Sequence, residues 1–157
     1  MSKTAVVFYT YTNNTKKIAE MIKDRIGAEI IQIDTIIPYC GTYEEVVALA
    51  KKEVNAGFKP PIQSMDRLLD EYTTIILGTP VWWYTMAPAI LTFLSEVDLR
   101  GKRIIPFATN AGWLGHTFQD IKKYCPTSEV LNEMSLEFSD DTLKTTMKDL
   151  DKWIESF

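Results

Sequence analysis

Residues 6–22 read VVFYTYTNNTKKIAEMI. The opening residues are β-branched and aromatic, the composition of a buried strand. Ile18, Ala19, Met21 and Ile22 then recur at helical spacing, Ile26 continues the stripe and Gly27 is a natural stop. Between strand and helix lies TYTNNT (10–15), a bend without glycine in which every residue but Tyr11 is Thr or Asn. Lys16 and Lys17 stand in the first helical turn, opposing the helix dipole at a cost of about 0.3–1 kcal/mol each. A helix start offers free N–H groups and partial positive charge to an anion. Thr10, Thr12 and Thr15 add hydroxyl donors there, and Asn13 and Asn14 add amide donors. Asn also tolerates the left-handed backbone that such a bend needs when glycine is absent. An ordinary Thr/Asn cap with two solvated lysines fits the same residues, so this stretch alone leaves both readings open.

Outward from this unit, strand and helix alternate. Strands are expected over 4–9, 29–34, 72–78, 102–109 and 130–138. Thr42 and Glu45 have capping-box spacing and open a helix that ends at Gly57. Pro88 starts another, with Ile90, Leu91 and Leu94. Phe118, Ile121 and Tyr124 mark a short helix, and Ser139, followed by Asp140 and Asp141, reads as the cap of a last one. Pro106 is awkward inside its strand. This alternation predicts an α/β fold, a doubly wound parallel sheet with helices on both faces, formed by one domain over 1–157.

The 157 residues, 46% hydrophobic and 24% charged, suit one soluble domain with a real core. A net charge of -4 with no basic patch argues against nucleic acid as a partner. The apolar run at the N-terminus is too short for a signal peptide or a membrane span, so a cytoplasmic protein with no membrane partner is expected. Cys40 and Cys125 form no CxxC pair and read as free thiols.

In such a sheet, ligands bind beyond the carboxyl ends of the strands, where strand order reverses. Two more loops there are unusual, TPVWWYT (79–85) and TNAGWLGHT (109–117). They hold Trp82, Trp83 and Trp113, three of the four tryptophans, while Trp153 reads as core or its rim. Loop tryptophans can simply cover a core edge, but three of them gathered beside a phosphate-type bend suit a flat aromatic ligand. No P-loop and no dinucleotide glycine fingerprint is present. Tyr9 and Thr10 stand where a phospho-acceptor domain needs acidic residues. His116, the single histidine, anchors no metal-ligand cluster and reads as the start of a helix.

These residues resemble the flavodoxin-like family over nearly the whole chain. TYTNNT is similar to its phosphate loop, T/S-x-T-G-x-T, with Asn13 where glycine is usual. IPYCGTYEEVVALAKKEVNAGFKPPI (37–62) and especially YTTIILGTPVWWYTMAPAILTFLSEVDLRGKRIIPFAT (72–109) resemble a bacterial subgroup of short members. The subgroup's fourth-strand loop is usually richer in Gly and Ser, where this chain has Ala111 and Trp113. The resemblance implies a five-stranded sheet in the order 2-1-3-4-5 and bound FMN. It assigns Thr10, Thr12, Asn13, Asn14 and Thr15 to the phosphate. It assigns Thr79, Pro80, Val81, Trp82 and Trp83, with Thr109, Asn110, Ala111, Gly112, Trp113 and Gly115, to the ribityl chain and ring. A flavodoxin-type electron carrier serving redox partner proteins is the leading expectation. An FMN-dependent NAD(P)H:quinone-type reductase and a flavin-binding interaction module are the alternatives.

Overall fold

The computed structural model describes residues 3–65 and 68–157. In chain order the elements are β1 (Thr4–Phe8), α1 (Asn14–Ile26), β2 (Glu29–Gln32), α2 (Tyr43–Ala56), β3 (Thr74–Trp82), β4 (Thr85–Met86) and α3 (Pro88–Glu96). They continue with β5 (Arg103–Asn110), α4 (Thr117–Lys123), β6 (Glu129–Val130), β7 (Met134–Ser139), β8 (Thr142–Leu143) and α5 (Met147–Glu155). The sheet path is β2-β1-β3-β5-β7-β8, with β4 beside β3 and β6 beside β5. Its main strands pair in parallel, and β1 lies between β2 and β3. Counting β6 and β7 as one interrupted strand, this is the expected order.

The period of two in the strands divides the core. Ala5, Val7 and Tyr9 face one layer with Ile75, Leu77, Ile104 and the apolar sides of α3 and α4. Val6 and Phe8 face the other with Ile76, Ile105, Phe107 and the stripes of α1 and α5. Alternation on two buried faces is why these strands read as continuous apolar runs.

Three expectations need correction. The chain after Ser139 does not enter a helix. It turns back as an antiparallel hairpin, pairing Phe138 with Leu143 and Ser139 with Thr142 around Asp140 at φ 50°. The last helix starts instead after Thr146, whose hydroxyl accepts from Asp149 N at 3.1 Å. Pairing buries Phe138 and half-buries Leu143, which a helix cap at Ser139 would not do. Second, the strand expected over 130–138 is split. Pro106 has no N–H to give, and the neighbouring strand leaves the ladder beside it, between the β6 pairing at Ile104 and the β7 pairing at Phe107. Third, β3 does not stop at Gly78 but runs on to Trp82, so much of the expected third-strand loop is strand.

Candidate functional site

The helix that follows β1 begins on Asn13 in a left-handed conformation, φ 73° and ψ 1°, and that residue's side chain makes no cap. Left-handed asparagine thus does the work that glycine would otherwise do. Two polar atoms in this bend, Thr10 Oγ1 and Asn14 Oδ1, are buried with no hydrogen-bond partner among the described residues. Each such atom costs about 1–3 kcal/mol in an unliganded fold. Other groups here are already engaged. Thr15 is buried, and its hydroxyl meets that of Thr109 at 2.8 Å. Asn14 Nδ2 donates to Asp140 O at 2.8 Å, and Lys17 Nζ donates to Asp141 O at 3.1 Å. The β7–β8 turn is therefore strapped onto the bend.

The opposite wall is a tight hairpin between β3 and β4. Trp82 pairs with Thr85, which leaves Trp83 and Tyr84 as its two turn residues. Both have positive φ, 51° and 69°. Such turns favour Asn and Gly, and bulky residues in them carry strain of about 1–3 kcal/mol each. The hairpin is held from both sides. Trp83 Nε1 donates to Val47 O of α2 at 3.0 Å, with Lys51 Nζ over its ring at 5.0 Å. His116 N donates to Tyr84 O at 2.8 Å.

Trp82 is caged edge-on by Tyr9, Tyr11 and Tyr39, with ring centroids 5.8, 5.8 and 5.0 Å away. Burial, then neighbouring charge from Tyr11, raises the Tyr9 phenol above its ordinary range. Burial also raises Tyr39, followed by its bond to Glu53 at 2.6 Å. Both rings are thus held neutral, an apolar wall with phenol tips.

Between these walls lies a cleft of about 770 Å³ at the carboxyl ends of β1, β3 and β5. Of the expected residues, Thr12, Asn14, Pro80, Val81, Trp82, Trp83, Thr109, Asn110 and Ala111 line it. The remainder lie elsewhere. Asn13 is exposed at the helix start, and Thr10 and Thr15 belong to the bend behind the lining. Thr79 is fully buried and braces the next helix, accepting from Ala87 N at 3.1 Å and donating to Pro80 O at 2.8 Å. Gly112 and Gly115 are exposed loop positions outside the lining. Trp113 is 70% exposed and borders a smaller groove of about 190 Å³ together with Val81, Trp83, Tyr84, Asn110 and Ala111.

Sequence reasoning missed a third wall. Tyr43, Val46, Val47 and Ala50 of α2 line the cleft, as do Tyr11, Phe138, Asp140 and Asp141. The helical spacing of Val46, Val47 and Ala50 was visible, but nothing in the sequence said that this stripe faces a cavity.

A family model described as flavodoxin matches residues 3–157. Comparison with curated proteins gave no match. Among solved structures, a candidate flavoprotein from Bacteroides eggerthii is similar at 25% identity and TM-score 0.83, covering 99% of this chain and 98% of that one. A flavoprotein of Lactobacillus acidophilus NCFM in complex with FMN is similar at 23% identity and TM-score 0.75, covering 98% and 99%. A flavodoxin, WrbA-like protein from Agrobacterium tumefaciens is similar at 17% identity and TM-score 0.67, covering 98% and 91%. Among the described residues no helix is long and apolar enough to cross a membrane.

Proposed function

The chain belongs to the flavodoxin family, and on that premise we propose that it binds FMN in the cleft and carries electrons between redox partner proteins. One observation carries this reading: the buried, unpartnered Thr10 hydroxyl at a left-handed helix start with no side-chain cap. It fits a phosphate group, because an anion there would take the orphan donor, the free N–H groups and the positive end of the helix together. Thr12 and Asn13 stand at the same end. The unpartnered Asn14 Oδ1 offers an acceptor for a ligand hydroxyl. Trp82, Trp83, Val81 and Ala111 give the flat, largely apolar wall that suits an aromatic ring. Thr15, Thr79 and Thr109 hold these walls in place through their hydroxyls.

Bound there, FMN would supply reversible one- and two-electron chemistry. The chain's own work is to bind, orient and exclude water. Asp140 and Asp141 at the cleft, with a net charge of -4, disfavour added negative charge in it. The apolar aromatic walls act in the same sense. Titration with FMN and with riboflavin, followed by tryptophan fluorescence, tests the proposal. FMN is expected to bind much more tightly, and equal affinities would remove the phosphate site.

A second reading, an FMN-dependent reductase, draws on the smaller groove. It opens beside the cleft, shares Val81, Trp83, Asn110 and Ala111 with it, and has room for a ring-sized acceptor.

A further inference from the structure

The Trp83–Tyr84 turn is strained, and strained turns persist only where their surroundings over-determine them. The restraint on its far side converges on one carboxylate. Thr85 Oγ1 donates to Asp120 Oδ2 at 2.5 Å. The same oxygen lies 2.5 Å from His116 Nδ1. His116 N in turn donates to Tyr84 O at 2.8 Å. Gly115 makes the approach possible: a Cβ there would lie 2.3 Å from Tyr84 O and 2.5 Å from Tyr84 Cβ. At φ 60° the position also suits glycine by backbone alone. Asp120 therefore grips one end of the turn by two arms. One arm reaches the first residue after the turn, and the other steers the histidine whose backbone holds the turn's carbonyl.

We infer that Asp120, through Thr85 and His116, is the positioning residue that sets the Trp83–Tyr84 turn against the cleft. It touches no cleft-lining surface itself and belongs to α4, a different element from the wall it holds. On the other side the turn is held through the Trp83 indole, which bonds Val47 O of α2 and lies under Lys51 Nζ. With Asp120 gone, Thr85 and the His116 ring lose their shared acceptor, and the turn is free to leave the left-handed region. Trp83 would then leave the ring end of the cleft, while the bend at Thr10–Thr15 stays as it is. The consequence for flavin rests on the FMN reading above; the clamp itself does not.

Asp120→Ala, Thr85→Val and Asp120→Asn separate the possibilities. Amide hydrogen exchange across residues 81–87 of the ligand-free protein reads the clamp directly. It is expected to speed up severalfold in Asp120→Ala and less in Thr85→Val, with exchange in the β1 and α1 segments unchanged. Asp120→Asn keeps an acceptor oxygen and is expected to recover most of the protection. FMN and riboflavin are both expected to bind about tenfold more weakly to Asp120→Ala, the change that ~1.4 kcal/mol produces. The equal loss sets it apart from a phosphate-end variant, which affects FMN alone. Unchanged exchange in Asp120→Ala would overturn the clamp. Faster exchange with parental affinity for both flavins would overturn its positioning role. A parent that binds neither flavin would overturn the cofactor reading and that role together, while the exchange comparison still decides the clamp.

Discussion

The hydroxyls of Thr15 and Thr109 meet at 2.8 Å behind the cleft, joining the start of α1 to the end of β5. Both residues are buried, so either valine variant leaves the other hydroxyl without a partner. Each single variant is expected to cost about 1–3 kcal/mol, and the double variant less than the sum. Urea unfolding of the ligand-free protein measures this. Additive costs would mean that the two hydroxyls do not act as a pair.

Thr10→Val should change stability and binding in opposite directions. Removing a buried, unpartnered hydroxyl is expected to stabilise the ligand-free fold by on the order of 1 kcal/mol. The same change should weaken FMN by about 1.5–3 kcal/mol, the value of a hydrogen bond to a charged group, and leave riboflavin almost unaffected. Thermal unfolding paired with the two titrations checks both signs. A variant less stable without ligand would show that the hydroxyl has an internal partner.

The tryptophans divide by position. Trp82 and Trp83 line the cleft, Trp113 borders only the smaller groove, and Trp153 is buried on the other face of the sheet, donating to Asn132 O at 2.7 Å. FMN is expected to quench emission strongly in the parent. Trp82→Phe and Trp83→Phe should remove most of the quenched signal, and Trp113→Phe little of it. Loss of quenching in Trp113→Phe alone would move the ring into the smaller groove.

Asp140 and Asp141 line the cleft beside the bend that faces the proposed phosphate. Asp140→Asn and Asp141→Asn are expected to tighten FMN severalfold at low salt, with no effect on riboflavin. The gain should shrink as ionic strength passes ~0.1 M, where screening acts over about 10 Å. A gain that is independent of salt, or equal for riboflavin, would contradict a charge effect.

The strand, bend and helix over 6–22 were legible because local preferences agreed with the final structure, apolar strand and left-handed asparagine, whereas the missing side-chain cap at Asn13 was not, since Thr and Asn there suit a cap equally well. The hairpin at 139–143 was not. Ser139, Asp140 and Asp141 have the composition of a helix start, and only pairing of Phe138 with Leu143 across the sheet edge decides otherwise. The tyrosine cage was hidden for a different reason. Tyr9, Tyr11 and Tyr39 leave different segments and meet only around Trp82. His116 reads in sequence as a helix start, and it does precede α4; its bond to Asp120 four residues on has helical spacing, but the turn it secures is distant in sequence.

Stepwise photoreduction of the FMN-loaded protein, watched by absorbance and followed by a nicotinamide oxidation assay, tests the proposed electron-carrier role most directly. The apolar walls and the carboxylates at Asp140 and Asp141 oppose the charge that the second electron brings. Two separated one-electron steps are therefore expected, with negligible oxidation of NADH or NADPH. Direct passage to the fully reduced form together with rapid nicotinamide turnover would contradict the carrier role and favour the reductase.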